Sequence, residues 1–462
     1  MPPRPGDTVD LDIDNLAYGG QGVARLEDFV IFVRGAVPGD RVSARISKRK
    51  RNHAEARLLE ILSPSPRRIS AVCPHTADCG GCEWQTLGYD AQLEFKERQV
   101  VDSLTRIGHL EGYVLDPVRG MDDPWRYRNK MEFSFGHAED GEPMLGLHRR
   151  GSWNEIVETS ACRLASERMM RARTAVAEAC RALSLAPYSR EDATGLLRHL
   201  VVREGRASGD LLLNLFVSAR FPQETALLER VVAGCDCTSF GVTVNATPAD
   251  AAVGDGPHML LGPPYLRENL AGVDLHVPAA AFLQTNSVMC EVLYATALEF
   301  ADPERARPAV DLYCGIGSLT LPLALLARHV QAVEIQEESI VAARKNAALN
   351  GIFNVDFHAR DVRPLLKFPP QPALDADRQR ESERPSVVVV DPPRAGMARK
   401  ALQRAAALGA PRFVYVSCNP TTLAGNGAEL SGLGYRLERV APVDMFPQTH
   451  HIETVALFVR ES

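Results

Sequence analysis

The C-terminal third of the chain carries a series of apolar runs, and each run leads into a glycine turn or an acidic residue. The first run passes into Tyr313-Cys314-Gly315-Ile316-Gly317, and the next one ends at Glu334. Two further runs lead to Asp361 and Asp391, with helical spacing between the runs. Alternating strands and helices of this kind predict a parallel sheet covered by helices. Because ligands bind beyond the carboxyl ends of such strands, we expect these residues to meet at one edge.

The same series indicates the kind of ligand. The two glycines of the turn let the backbone approach a ligand closely, and a carboxylate at Glu334 can accept both hydroxyls of a ribose. Thr320 occupies the position of the third glycine in the dinucleotide fingerprint, which disfavours a nicotinamide cofactor. The last run ends in Asp391-Pro392-Pro393-Arg394. In this order, the features describe the nucleoside-binding edge of an S-adenosylmethionine-dependent methyltransferase fold.

A cysteine follows the next apolar run, at residues 412–416, within Ser417-Cys418-Asn419-Pro420. It should therefore lie where a buried strand ends, and a cysteine there can be a nucleophile once it has lost its proton. The alternative is that Cys418 only packs, since cysteine is among the most often buried residue types. Further along, His450, His451 and Glu453 precede the closing strand and should reach the same edge.

The N-terminal region has a different pattern. Short alternating runs, separated by Gly19-Gly20 and by Pro38-Gly39-Asp40, predict a small all-β barrel. Between Arg34 and Arg68, ten Lys or Arg residues stand against three Asp or Glu residues, in a chain whose net charge is −6. This basic region is either a solvated face or a surface that binds the phosphates of a nucleic acid. The glycine turn and the Val37-Pro38-Gly39-Asp40 segment resemble the TRAM domain, an RNA-binding barrel.

Three cysteines, Cys73, Cys79 and Cys82, follow a proline-rich linker. Thiolates so close together need a soft metal, and Cys162 is the candidate for a fourth ligand. An iron–sulfur cluster and a tetrahedral zinc ion would use the same atoms, so both interpretations remain open from the residues alone. Ten cysteines spaced unevenly over 462 residues indicate metal ligands, catalytic groups and core packing more than a disulfide framework.

The overall composition is that of a globular protein, with 45% hydrophobic and 24% charged residues, and the length predicts two to four domains. Because no apolar run reaches the roughly 18 residues of a membrane helix and residues 1–6 lack a signal-peptide core, we expect a cytoplasmic protein.

Residues 125–135 have the pattern of a strand with Arg and Tyr on one face. Residues 369–385 have the composition of a disordered surface loop.

From about Asp7 to Val459, the chain resembles the RNA 5-methyluridine methyltransferases, in the branch that carries a TRAM domain and a four-cysteine cluster. The segments that carry the resemblance are Phe282-Leu283-Gln284-Thr285-Asn286, Asp391-Pro392-Pro393-Arg394, Ser417-Cys418-Asn419-Pro420, and Asp444-Met445-Phe446-Pro447 through Glu453. The resemblance implies that Cys418 is the nucleophile and Glu453 the base. It implies that S-adenosylmethionine is held by Gln284, Tyr313, Glu334 and Asp391, to which we add Asp361 at the same edge. It also implies a [4Fe-4S] cluster on Cys73, Cys79, Cys82 and Cys162.

We therefore expect a multi-domain α/β protein with three parts. Residues 1–62 should form a TRAM or OB-like barrel, residues 63–270 a central α+β domain with the cluster, and residues 271–462 a Rossmann-like methyltransferase domain. The expected reaction is methylation of carbon 5 of a uridine in RNA by a monomer, with 23S ribosomal RNA favoured over transfer RNA by resemblance.

Three other functions remain as alternatives. A 5-methylcytosine enzyme uses similar thiolate chemistry, with a different cysteine and proline pattern from the one at residues 417–420. An exocyclic-amine methyltransferase would need an aromatic residue where Arg394 stands. An RNA-binding or RNA-folding protein with an inactive methyltransferase fold is the alternative from a different class.

Overall fold

The computed structural model describes residues 3–247, 252, 254, 256–362 and 384–461. Within these ranges the chain forms a closed barrel, a seven-stranded sheet, a two-stranded hairpin and an eight-stranded sheet. The described helices include none with the length and apolar character needed to cross a membrane. Of the loop expected at residues 369–385, all but the last two residues lie outside the described ranges.

The N-terminal strands close into the predicted barrel. They are β1 (Thr8–Leu16), β2 (Gly22–Leu26), β3 (Phe29–Arg34), β4 (Arg41–Arg49) and β5 (His53–Ser63), in the spatial order β1-β2-β3-β5-β4. Successive side chains of a strand point to opposite faces, so Leu11 and Ile13 enter the barrel core. By the same alternation, Arg41, Arg45 and Arg57 are exposed on the outside. Much of the predicted basic region is therefore a surface of β4 and β5.

Helix α1 (Tyr89–Arg106) and the short strand β6 (Val114–Leu115) follow the cysteine loop. One side of α1 is buried along its length, and this side carries polar as well as apolar residues. Phe95 packs with Trp84, whereas Val100 and Leu104 enter the core of the C-terminal sheet.

The central sheet has the order β13-β12-β11-β10-β7-β8-β9. Its strands are β7 (Lys130–His137), β8 (Pro143–His148), β9 (Ile156–Glu158), β10 (Leu197–Glu204), β11 (Leu211–Val217), β12 (Ser239–Val244) and β13 (His258–Leu261). Helices α2 (Glu167–Ala182) and α3 (Glu224–Gly234) pack against it. All seven residues of β11 are buried, and six of them are apolar. The exception is Asn214, whose side-chain oxygen accepts from the Thr243 hydroxyl at 3.0 Å.

The strand predicted at residues 125–135 is wrong in its first half, because β7 begins only at Lys130. Arg126 has a φ of 51°, in the left-handed region, and Tyr127 is buried instead of lying on an exposed face. The Tyr127 hydroxyl donates to the Pro447 carbonyl at 3.0 Å. Contacts with a distant segment, and not the local alternation, decide the conformation here.

The hairpin of β14 (Tyr265–Leu270) and β15 (Val273–Pro278) leads into helix α4 (Ser287–Ala301). The helix predicted to open at residues 282–286 and to reach about residue 301 is thereby confirmed. Asn286 caps α4, and its side chain accepts the Met289 amide hydrogen.

The C-terminal sheet is the predicted methyltransferase-like α/β sheet. Its further elements are β16 (Pro308–Leu312), α5 (Thr320–Leu326), β17 (His329–Glu334), α6 (Glu337–Leu349), β18 (Val355–Ala359), β19 (Val387–Val390), α7 (Arg399–Ala407), β20 (Arg412–Ser417), α8 (Pro420–Gly432), β21 (Tyr435–Val443) and β22 (Glu453–Arg460). The order is β18-β17-β16-β19-β20-β22-β21-β6. The first five strands in this order are parallel, and β22 is antiparallel to its neighbours β20 and β21.

Three segments from earlier in the chain contact this C-terminal sheet. Strand β6 pairs with β21, and α1 packs against α8 and β21. The apolar residues of the β14–β15 hairpin share one core with β16, β17 and α4. In sequence, α1 and β6 belong to the predicted central range and the hairpin crosses the boundary predicted at residue 270. In space, all three lie against the sheet that follows them.

Candidate active site

The residues predicted to share one sheet edge do lie there. Leu312 is paired with Val333 on one side and with Val390 on the other. Tyr313, Glu334 and Asp391 therefore stand side by side at the carboxyl ends of β16, β17 and β19. This position is the ligand-binding edge of an open α/β sheet. Asp361 follows β18 by two residues at the same edge, and it is half-buried.

Cys418 and Glu453 meet because of one antiparallel pairing. Ser417, the last residue of β20, is paired with Thr454 of β22. Cys418 follows Ser417 immediately after the end of β20, and Glu453 precedes Thr454 on β22, so the two lie across from each other. Cys418 is half-buried, whereas Glu453 is only 2% exposed. The Glu453 Oε2 atom has no hydrogen-bond partner within the described residues, although it is buried.

Charged groups around Cys418 shift the pKa of its thiol in opposite directions. Burial, followed by the carboxylates of Glu453 and Asp391, raises the pKa of the Cys418 thiol to about 11, while the Arg394 guanidinium lowers it. Burial also raises the pKa of Glu453 well above its ordinary value, with Asp391 adding to the effect. Burial raises the pKa of Asp391 to about 7. The site thus combines a thiol, two carboxyl groups that resist ionisation, and one cation.

Helix α8 begins directly after the cysteine and holds the neighbouring loop. Asn419 is its N-cap, accepting the Thr421 amide hydrogen at 3.0 Å, and Pro420 stands in the first turn. The Asn419 Nδ2 atom donates to the Arg394 carbonyl at 3.2 Å, and the Thr422 hydroxyl donates to the same oxygen at 3.4 Å. The Ser417-Cys418-Asn419-Pro420 segment therefore fixes the backbone of Arg394 beside the cysteine.

The loop in front of Glu453 is held from several sides. Asp444 accepts from Lys96 Nζ at 2.5 Å and from the Tyr89 hydroxyl at 2.9 Å. Asn286 Nδ2, at the start of α4, donates to the Met445 carbonyl at 3.1 Å. The Trp84 amide donates to the Gln448 carbonyl at 3.1 Å. These contacts explain why residues 444–452, which have little regular structure, are nevertheless largely buried.

His450 and His451 lie beside the site, at the edge where the sequence predicts them. Their rings lie 4.0 Å apart between centroids. His450 Nδ1 is 3.6 Å from an Oε2 atom of Glu83, the residue after Cys82. Burial, with His450 and Arg394 nearby, lowers the pKa of His451 to about 4, so this ring is neutral at physiological pH.

One residue at this site was missed from the sequence. The Tyr18 hydroxyl, from the barrel, donates to the Cys418 carbonyl at 3.4 Å. The Tyr18 ring meets His450 edge-on, with centroids 6.0 Å apart. Burial raises the pKa of Tyr18, whereas its hydrogen bond and charge interaction with Arg394 lower it. No local signal marks this tyrosine, because 400 positions separate it from Cys418.

The four predicted metal ligands line one cavity of about 430 Å³: Cys73, Cys79, Cys82 and Cys162. Burial is the largest cause that raises the pKa of Cys79 and of Cys162, and it raises that of Cys82 to about 12. Within the described ranges, no three His, Cys, Asp or Glu side chains are arranged to hold a single metal ion.

Arg150, a second residue that sequence reasoning missed, holds the cysteine loop in shape. Its Nη2 atom donates to the carbonyl oxygens of Thr76, Cys79 and Cys82, at 2.9, 3.2 and 2.7 Å. The Gly81 amide donates to the Cys79 sulfur at 3.4 Å. The loop thus has a defined conformation in which its three cysteines line the cavity that Cys162, from a later segment, also lines.

Comparison with known proteins identifies the family. Residues 261–461 match the tRNA (uracil-5-)-methyltransferase family, and residues 3–59 match the TRAM domain. A protein of Halalkalibacterium halodurans described as an uncharacterized RNA methyltransferase is 36% identical over 458 residues, which cover 99% of this chain and 98% of the relative. The chain belongs to the RNA uracil-5-methyltransferase family. A similar relative in Gloeobacter violaceus is 38% identical to the methyltransferase over 461 residues, covering 98% of this chain and 97% of the relative.

A solved structure resembles the methyltransferase over its whole length. It is the Pyrococcus abyssi tRNA (uracil-54, C5)-methyltransferase in complex with S-adenosyl-L-homocysteine, with a TM-score of 0.77 and 26% identity. The similarity covers 98% of this chain and 100% of the other. The expected family, the TRAM barrel and the methyltransferase fold are thereby confirmed.

The methyltransferase uses S-adenosylmethionine, and the residues at the sheet edge are of types that suit this molecule. Gly315 has a φ of 54° and open space where a Cβ atom would point, so the turn leaves room for a ligand. Glu334 accepts the amide hydrogens of Gly315, Ile335 and Gln336, and this fixes its carboxylate beside the glycine turn. Ile335 is 65% exposed beside it. Gln284 is buried just before α4, the helix whose Cys290 interacts with Asp391.

Proposed function

We propose that the methyltransferase methylates carbon 5 of a uridine in RNA through a temporary covalent bond between Cys418 and carbon 6 of the base. The observation that carries the proposal is the position of Cys418 opposite Glu453, across the pairing of β20 and β22. This arrangement supplies a nucleophile and a buried base at the same sheet edge as the residues proposed to hold S-adenosylmethionine. A purely structural pair would not need an unpartnered carboxylate oxygen in the protein interior.

Carbon 5 of uracil is a weak nucleophile, so the protein must first activate it. The Cys418 thiol loses its proton to solvent, and the nearby Arg394 cation favours this loss. The thiolate then bonds to carbon 6, and the electron pair of the 5,6 double bond moves toward carbon 5 and oxygen 4. Bound S-adenosylmethionine would supply the methyl group: carbon 5 would take the methyl as the methyl–sulfur bond breaks, and S-adenosylhomocysteine would leave with the electron pair of that bond. Glu453 removes the remaining proton from carbon 5, and the returning electron pair expels the Cys418 thiolate.

Several groups position the reactants in this proposal. Gln284, Tyr313, Glu334, Asp361 and Asp391 hold S-adenosylmethionine in this proposal, and the common location of the last four at one sheet edge supports it. The carboxyl group of Asp391, whose pKa is raised to about 7, can also donate a hydrogen bond to the base when it is protonated. The uridine must leave its stack to reach Cys418, at a cost of about a few kcal/mol that contacts with the rest of the RNA offset.

We propose that the exposed basic face of β4 and β5 supplies part of these RNA contacts. We favour large-subunit ribosomal RNA as the substrate, because the chain combines a barrel with a cysteine cluster. Transfer RNA is the second candidate, because the similar Pyrococcus abyssi enzyme acts on transfer RNA. A monomer is the oligomeric state that we propose.

We further propose that Cys73, Cys79, Cys82 and Cys162 hold a [4Fe-4S] cluster, the type of site that four cysteines around one cavity suit. No step of the reaction passes through it. Its proposed role is to stabilise the loop of residues 73–82. Trp84, two residues after this loop, donates to the Gln448 carbonyl in the segment before Glu453.

The test of the reaction is product analysis with a labelled methyl donor. RNA incubated with the protein should contain labelled 5-methyluridine by mass spectrometry, and Cys418→Ala should abolish it. Labelled 5-methylcytosine would refute the proposal in favour of a cytosine enzyme, and full activity of Cys418→Ala would refute the mechanism. Mapping 5-methyluridines in ribosomal and transfer RNA from a strain without the protein identifies the substrate.

A further inference from the structure

Three arginines form a row across the outside of the barrel. Arg34 of β3 is paired with Arg57 of β5, and Arg57 is paired with Arg45 of β4. Paired residues on neighbouring strands point to the same face of a sheet, and all three arginines are exposed. Because neighbouring strands lie about 4.8 Å apart, the row is a line of closely spaced cations. Such a line suits the phosphates of one RNA strand.

One end of this row meets the central sheet. A Cβ atom at Gly151 would lie 3.5 Å from the Arg34 Nη1 atom, so the turn between β8 and β9 touches the end of the row. The turn is also held to the cysteine loop, because the Arg150 amide donates to the Asp78 carbonyl at 2.7 Å. Trp153 comes two residues after Gly151 in the same turn. An aromatic side chain therefore lies close to the last arginine of the row.

Trp153 differs from the other tryptophans of the chain because it is 69% exposed, whereas Trp84 is buried and Trp125 is half-buried. The Arg190 guanidinium lies over the Trp153 ring, with its Cζ atom 5.1 Å from the ring centroid. A cation over one face of the ring is attracted to it and holds it in orientation. The large exposed fraction leaves the other face open to solvent. An oriented, open indole face is a surface on which a nucleobase can stack.

A cavity of about 480 Å³ lies beside Trp153 and Arg190. Tyr188 and Arg198 also line it, and the Arg198 Cζ atom is 4.5 Å from the centroid of the Tyr188 ring. Arg198 is buried, and its Nη1 atom donates to the Asn245 carbonyl at 2.7 Å. The wall of the cavity thus contains two pairs of a cation with an aromatic ring. Sites for single-stranded RNA use the same combination of groups.

We propose that Trp153 stacks on an unpaired base of the RNA substrate, while Arg34, Arg57 and Arg45 bind phosphates of the same strand. The inference rests on the proposed function only in that the substrate is RNA, and it does not depend on the chemistry of Cys418. It adds a base contact on the central domain to the basic face of β4 and β5. A base inside a double helix offers no open face to an indole, so this contact selects single-stranded RNA.

Tryptophan fluorescence tests the stacking directly, because a base stacked on an indole quenches its emission. The probe is a single-stranded oligoadenylate of about 12 nucleotides, a length within the range that single-strand sites cover. The matched probe is an abasic oligomer with the same ribose–phosphate backbone. Oligoadenylate should quench the wild-type protein, whereas the abasic oligomer should not. Trp153→Phe should lose most of the quenching, since the indole that stacks is gone.

The affinity for oligoadenylate separates the base contact from the phosphate contacts. For Trp153→Ala we expect the Kd to rise about tenfold, the effect of one lost stacked base, with no change in its dependence on salt. Trp153→Phe should restore most of the affinity, because a phenyl ring also stacks. Arg57→Gln should weaken binding and lower the slope of log Kd against log salt concentration by about 0.7, the value for one phosphate contact on a single strand.

Phe353→Ala is the matched control for the loss of an exposed aromatic side chain. Phe353 is 82% exposed just before β18, in the C-terminal sheet, and its variant should bind oligoadenylate like the wild type. The inference is overturned if Trp153→Ala binds as tightly as the wild type or if Trp153→Phe binds as weakly as Trp153→Ala. Equal quenching by the abasic oligomer would also overturn it. Failure of the proposed function is recognised separately, because the titration needs no catalysis and the 5-methyluridine product assay with Cys418→Ala tests the chemistry.

Discussion

Lys96 and Asp444 form an ion pair with both side chains fully buried, and it ties α1 to the loop in front of Glu453. Nζ and Oδ1 are 2.5 Å apart, and Lys96 also donates to the Phe446 carbonyl at 3.0 Å. Lys96→Met would keep the length of the side chain and remove its charge. The Asp444 carboxylate would then be buried without its cation.

Removing one partner of a buried ion pair lowers the free energy of unfolding by about 3–5 kcal/mol, because the other charge is left uncompensated. The same helix offers a matched control in Glu94→Gln. Glu94 is 2.7 Å from Arg67, but the two side chains are 56% and 44% exposed. Water screens the charges of such an exposed pair. Losing the pair therefore lowers the free energy of unfolding by only about 0–1 kcal/mol. The two distances are similar, so burial alone should separate the two variants.

Calorimetric thermal unfolding provides the assay. At about 2–4 °C per kcal/mol for a domain of roughly 200 residues, Lys96→Met should lower the midpoint by about 6–20 °C. Glu94→Gln should lower it by less than about 4 °C. Lys96→Met combined with Asp444→Asn, which keeps acceptors for Tyr89, should recover most of the loss. The reasoning is refuted if Lys96→Met lowers the unfolding midpoint no more than Glu94→Gln does.

Three further predictions concern the proposed chemistry. Glu453→Gln should stop the reaction after methyl transfer, so an RNA–protein complex should accumulate on denaturing gels, and its absence would count against Glu453 as the base. Because the pKa of Cys418 is raised to about 11, its thiolate fraction should rise with pH throughout the range 7–10, and so should the rate of iodoacetamide labelling; a plateau near neutral pH would contradict this. Cys162→Ser should lower the iron and sulfide content of the purified protein, whereas Cys180→Ser, at a buried cysteine outside the cavity, should not.

The sequence predicts the C-terminal sheet well, because its strands are short apolar runs bounded by polar turns. The four valines of β19 are all buried, and Asp391 follows directly after them. Parallel strands bring their carboxyl ends to one edge whatever their exact register. For this reason Tyr313, Glu334 and Asp391 could be grouped before any coordinates were known.

Prediction failed where distant contacts override local pattern. Residues 125–129 alternate like a strand, but Tyr127 is buried and bonds to Pro447, which lies 320 positions away. Lys96 looks like an ordinary exposed lysine of an amphipathic helix, and only the fold brings Asp444 to it. Neither partner carries a local signal of the other.

What the sequence determined by itself is the set of reactive groups and the sheet edge to which they belong, since periodicity and chain order are local properties. What only the tertiary structure decided is how those groups meet. The register of β20 and β22 sets Cys418 opposite Glu453, and the docked barrel brings Tyr18 to the same place. Pairing and docking depend on contacts between residues up to 400 positions apart. The free energy of such contacts comes from packing in the folded chain and is not encoded in any single stretch of residues.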